Sequence, residues 1–189
     1  EVHQLAEHSL SDDGRNQADA VGERFKKIFT ELVVSSSYQR ALETARVIAK
    51  SDNSDIVVSK LFVELRKPSE IQGKYIHDEE VQRIKKEVKE QISDPNWHYS
   101  DEENYTELLS RADKALSFLI QRPEDHIAVV THGTFLTALF VKMFLGEEAN
   151  PHAMERARHF LLMNNSGITV ADYENGVWQL VTWNDHSHM

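Results

Sequence analysis

The 189-residue chain contains no cysteine, only seven glycines and four prolines, and a deficit of positive charge, with 21 Lys and Arg against 31 Asp and Glu. Without cysteine there is no disulfide framework, no thiolate metal site and no cysteine nucleophile. A formal net charge of -10 argues against a broad nucleic-acid or anionic-membrane surface, because both need clustered Lys and Arg. Local basic pockets for small anions stay compatible with it. Long hydrophobic runs are missing too: the longest apolar stretch, 135–145, is interrupted by Lys142 and falls well short of the roughly 20 residues that span a bilayer. No signal-peptide pattern opens the sequence. The expectation is a cytoplasmic protein with no nucleic-acid partner and no membrane partner.

What is present is ordinary globular material. At 40% hydrophobic and 28% charged, the chain suits one domain with a substantial core. Residues 1–10 read as a short polar leader. Ser11 can cap a helix whose apolar face is Ala18, Val21, Phe25, Ile28 and Phe29. Leu32-Val33-Val34 reads as a buried strand that runs into Ser35-Ser36-Ser37 and then a helix over 38–49. Ile56-Val57-Val58 is the next strand, followed by a loop broken by Pro68 and Gly73. A charged helix over 77–93 and an amphipathic one over 102–120 follow. The β-branched run 127–131 leads through His132 and Gly133 into a nearly all-apolar helix over 134–145, closed by Gly146. Three further strands are expected at 159–163, 168–170 and 177–181, the last two joined by an Asn175-Gly176 turn. Alternation of helices and strands implies an α/β domain, a three-layer α/β/α sandwich with a mostly parallel, mixed central sheet.

Two strand ends carry the chemistry. Arg40 falls in the first turn of a helix, where the macrodipole prefers anions. A bound anion resolves that conflict, since the guanidinium offers a planar fork and the helix start offers free N–H groups. His132, Gly133 and Thr134 form a second strand-to-helix junction with the same donors. Taken singly, a solvated arginine or a hydrogen-bonded structural histidine would account for either; together they describe an anion pocket. His98 with Trp97 and Tyr99 reads as packing of the segment before the long helix, and His186 with His188 as a mobile tail rather than a metal site.

The segment 36–45 with Arg40, together with Val130-Thr131-His132-Gly133, resembles the histidine phosphatase superfamily, the phosphoglycerate-mutase-like proteins. Leu10 to Ala18 is similar to the helix after that family's first strand, and 100–105 with Arg111 to a later helix. The resemblance implies a single phosphoglycerate-mutase-like domain over residues 1–189, with 66–100 as a variable lid or insertion. It implies a phosphomonoester hydrolase that forms a phosphohistidine with no metal or other cofactor, acting on a small phosphorylated substrate. In such a site Arg40 and His132 are catalytic and bind the phosphoryl group together with Gly133 and Thr134, and Glu64 protonates the leaving oxygen, with Glu70 as the second choice. Mutase-type transfer and a non-catalytic phosphate-binding or partner-binding relative are the alternatives. The family's Arg-His-Gly nucleophile motif is absent from this sequence, and neither His3 nor His8 carries its surroundings. The expectation is that the nucleophilic strand lies upstream of Glu1.

Overall fold

The computed structural model describes Leu5 and residues 7–189. Helix α1 (Asp12–Phe25) starts where the Ser11 hydroxyl accepts the Gly14 N–H. It ends earlier than its apolar spacing predicts, and Phe29 is 64% exposed, edge-on to His126 rather than in the core. Strand β1 (Leu32–Ser36) is buried at every position. Helix α2 (Gln39–Asp52) follows, and then strand β2 (Asp55–Ser59). Helix α3 (Glu79–Glu90) is capped by Asp78, and helix α4 (Tyr105–Ile120) by a full capping box of Asn104 and Glu107. Strand β3 (Ile127–Val130) leads into helix α5 (Gly133–Leu145), which stops at Gly146 with φ 54°. Helix α6 (Pro151–Phe160), strand β4 (Ile168–Glu174) and strand β5 (Val177–Asp185) complete the chain.

Strands β2, β1 and β3 form a parallel sheet in that order. Alternation along β1 sends side chains to opposite faces. Val33 packs with Ala128 against Val21 of α1 and Ala45, Ile48 and Ala49 of α2. Leu32 and Val34 turn the other way, into the larger core of Leu108, Ala112, Leu116, Phe135, Ala138 and Leu139 from α4 and α5. Helices on both faces make the three layers expected of a parallel sheet.

Two features depart from the sequence expectation. Residues 159–163 form no strand. The Asn150 side chain caps α6, Pro151 occupies its first turn, and the helix runs through Phe160, so helix initiation overrides the local β-propensity of a short apolar run. In addition, β4 and β5 pair antiparallel only with each other, as a sheet of their own. The Asn175-Gly176 turn that joins them has φ of 52° and 84°, the left-handed pair a two-residue hairpin requires. Among the described residues, β3 therefore keeps one edge without a hydrogen-bonded strand, and so does β4. In the C-terminal tail His186 and Met189 are exposed, while both ring nitrogens of His188 are buried close to Asp185, which also pairs with Arg24.

Candidate active site

β1 and β3 run parallel, so their C-terminal ends lie side by side and deliver Ser36 and His132 to one place. His132 Nε2 lies 2.8 Å from Ser36 Oγ, and Arg40 Nη2 lies 3.3 Å from His132 Nδ1. A guanidinium only donates, so Nδ1 accepts, and the imidazole proton resides on Nε2, which donates to the serine hydroxyl. Ser36 Oγ also accepts the Tyr38 N–H at 3.2 Å, tying the start of α2 to the same oxygen. Tyr38 lies against both partners, with its ring 5.0 Å from the His132 ring and 5.0 Å from the Arg40 guanidinium carbon. Burial lowers the His132 pKa to about 3, helped by the positive charges of Arg40 and Arg111. His132 is thus a neutral donor at ordinary pH. Burial also lowers the Arg40 pKa, against the opposing pull of Glu64 and Tyr38. The Leu5 carbonyl accepts from Arg40 Nη1 at 2.9 Å.

Glu64 meets this pair from the loop after β2. Its carboxylate lies at the N-terminus of α5, accepting from Thr134 N at 3.1 Å and Phe135 N at 3.1 Å, and from Leu65 N at 2.8 Å. The Thr134 N–H, expected from sequence to face a substrate anion, is therefore already committed to a protein carboxylate. The physical cause is the same in either case, an anion on the helix start. The Glu64 loop is held from behind. Arg111 of α4 donates to the Leu61 and Val63 carbonyls, both at 2.8 Å, and makes a two-pronged pair with Glu103 at 2.7 and 2.6 Å. Its guanidinium also stacks 4.2 Å over the Phe135 ring, and Thr131 Oγ1 donates to the Phe62 carbonyl at 2.8 Å.

A cavity of about 310 Å³ lies beside Glu64 and the start of α5, lined by Glu64, Gly133, Thr134 and Arg158 among others. Gly133 opens directly on it: a Cβ there would meet no protein atom closer than Met163 Sδ at 4.0 Å. Arg40, His132, Glu64, Gly133 and Thr134 are thus brought together. Glu70 is not with them; it is exposed and accepts from Ser100 Oγ at 2.7 Å. His98 pairs with Glu107 at 3.0 Å, at the start of α4, and Tyr99 packs on the small cluster of Ile71, Val81 and Ile84. Sequence reasoning overlooked Ser36, the anchoring role of Arg111 and the presence of Arg158. Only the hydroxyl run 35–37 at a strand end signalled the first of these. No group of three or more His, Cys, Asp or Glu side chains among the described residues is placed to hold a metal ion.

A family model of the histidine phosphatase superfamily (branch 1) matches residues 2–186. The chain belongs to that superfamily. Among curated relatives, phosphoglycerate mutase-like protein 4 of Arabidopsis thaliana is 28% identical over 185 residues, which is 95% of this chain and 76% of that protein. Among solved structures, Bacillus stearothermophilus YhfR superposes with a TM-score of 0.81 at 21% identity, covering 99% of this chain and 90% of that one. A mycobacterial glucosyl-3-phosphoglycerate phosphatase, solved with inorganic phosphate, gives a TM-score of 0.79 at 22% identity, covering 100% of this chain and 93% of that one. At such identities the superpositions speak to the shared fold. This histidine phosphatase superfamily member carries Arg40, His132 and Glu64 in a single strand-end cluster.

Proposed function

We propose that this protein is a phosphomonoester hydrolase that works through a phosphohistidine without a metal. The observation that carries the proposal is the convergence of a half-buried arginine, a neutral histidine with a fixed tautomer, and a carboxylate held by three N–H groups. Arg40 neutralises and orients the phosphoryl oxygens, and His132 stabilises charge developing on the transferring group. In the first step a histidine nitrogen attacks phosphorus, the ester P–O bond breaks, and the leaving oxygen takes a proton from the Glu64 carboxyl. In the second, water attacks the same phosphorus, the P–N bond breaks, and Glu64 recovers a proton from the water.

The nucleophilic histidine belongs outside the described residues. His8 accepts the Leu5 N–H at 3.4 Å within a local turn, and His3 lies outside the described part of the chain. The edge of β3 that is unpaired among the described residues supports a place for it: a strand added there in parallel would end beside His132. Hydrolysis is preferred to mutase-type transfer because nothing in the sequence marks a dedicated phosphoglycerate pocket. Incubating the full-length protein with a phosphomonoester and quenching in base tests the function. The expected result is a base-stable, acid-labile phosphoprotein and release of inorganic phosphate. An isomerised phosphate ester as the sole product would move the activity to a mutase, and absence of both phosphoprotein and turnover would overturn it.

A further inference from the structure

Strand β2 forms the outer edge of the three-stranded sheet, hydrogen-bonded to β1 on one side only. Among the described residues nothing else supplies backbone partners to Asp55–Ser59, so a row of N–H and C=O groups faces outward along that edge. The strand itself contains neither Pro nor Lys, the residues that commonly block such an edge, and its pairing with β1 runs without a bulge. Val58, on the same face as Ile56, is 52% exposed there.

Beside this edge lies a second cavity, of about 310 Å³, whose walls include Arg46, Ala49 and Lys50 of α2 and Ile56 of β2. It lies towards the far end of α2 from Arg40 and shares no residue with the cavity at Glu64. Arg46 and Lys50 are both exposed, and among the described residues neither belongs to an ion pair. Glu43, the helical neighbour that could reach Arg46, is held instead by Leu10 N, Gln39 and Arg15, and Asp52 accepts from Thr30 N. Lys50 in the last turn complements the helix dipole, but Arg46 lies a turn too early to do so. At an i, i+4 spacing the two like charges repel. An anionic occupant relieves that repulsion, and a third cation without an ion pair among the described residues, Lys60, follows directly after β2.

Four residues along a helix advance about 6 Å, and two residues along a strand about 6.7 Å. Arg46 and Lys50 are therefore spaced to meet side chains i and i+2 of an added strand. We propose that the groove between α2 and the outer edge of β2 docks an extended acidic segment of a partner protein, which adds a strand to β2 and sets carboxylates from alternate positions on Arg46 and Lys50, their methylene stems against Ala49 and Ile56. A second copy of this chain fits the groove less well. Pairing two β2 edges about a two-fold axis would set Arg46 and Lys50 of one subunit against the same two cations of the other.

The test titrates full-length protein against short, end-capped, fluorescently labelled peptides and reads anisotropy, with backbone amide NMR shifts to locate the site. One peptide alternates Glu and Val, a second has Lys in place of Glu, and a third is the Glu peptide N-methylated throughout, which keeps the charge and removes the strand's donors. The wild type is expected to bind the first with shifts centred on residues 46–60. The double variant Arg46→Glu, Lys50→Glu, at unchanged melting temperature, is expected to bind it about tenfold or more weakly, the scale of one charge-assisted hydrogen bond. The Lys and N-methylated peptides should lose affinity on the wild type by a similar factor. No binding of the Glu peptide by the wild type, equal binding by the charge-reversed protein, or equal binding of the N-methylated peptide overturns the proposal. A wild-type dimer in sedimentation that Val58→Lys returns to monomer would overturn it too, by assigning the edge to a second copy.

Discussion

Strand β1 and the hairpin β4–β5 are both rich in β-branched and apolar residues, yet they live in opposite environments. Val33 and Val34 of β1 are fully buried, whereas Val177, Leu180 and Val181 of β5 are between 47% and 58% exposed. Composition does not separate them; neighbours do. β1 has a hydrogen-bonded strand on each edge and helices over each face, while the hairpin pairs only with itself and touches the body through contacts such as Phe140 with Trp183, 5.2 Å apart. The candidate active site grows out of the first environment. Its residues leave the C-terminal ends of β1 and β3, where two strand termini and one helix start fix them within hydrogen-bonding distance of one another.

The contrast can be broken most forcefully behind the site. Arg111→Leu removes the partner of the largely buried Glu103 carboxylate and the donor to two carbonyls just ahead of Glu64. A loss of about 3–5 kcal/mol in unfolding free energy is expected, as when a buried pair loses one member, measured by urea denaturation. Next in size, Val34→Ala in β1 is expected to cost about 2 kcal/mol by leaving a void in a core that cannot fully close. The matching change in the hairpin, Leu180→Ala, should stay within about 0.5 kcal/mol. Equal losses at the two positions would mean that the hairpin is covered in solution.

The third effect depends on pH. Folding lowers the His132 pKa to about 3 from the ordinary value near 6.5. Between those values the unfolded chain binds the extra proton, so stability falls as pH falls through that window and is fully present above it. Lowering the pH from 7 to 5 should cost the wild type about 2 kcal/mol at this group alone. His132→Asn should lose that component, so that the difference between the two proteins in denaturant midpoint narrows toward acid pH.

Much of this was legible in the amino-acid sequence, for identifiable reasons. Buried parallel strands announce themselves as β-branched runs, so 32–34 and 127–131 were plain, and the Ser11, Asn175-Gly176 and Gly146 punctuation marks matched real ends. The meeting of Arg40 and His132 followed from two strand ends of the same kind. Hidden from sequence were the features set by long-range geometry. Glu64, rather than a ligand, takes the α5 N-terminus because the loop after β2 is pulled across by Arg111 from 47 residues further on. The apolar run 159–163 imitates a strand because its first two residues end a helix whose start lies at Asn150. The split of the strands into two sheets has no signature in β4 or β5 themselves, since strand pairing is set by tertiary neighbours rather than by local composition.

The most direct measurement is the steady-state hydrolysis of a simple aryl phosphomonoester by the full-length protein, its Arg40→Ala variant and its His132→Ala variant, each checked for retained folding by its melting curve. The proposed site predicts that either substitution lowers kcat/KM by roughly a hundredfold or more, the usual loss when a group stabilising transition-state charge is removed. Activity within twofold of the wild type in a folded Arg40→Ala or His132→Ala protein would contradict it.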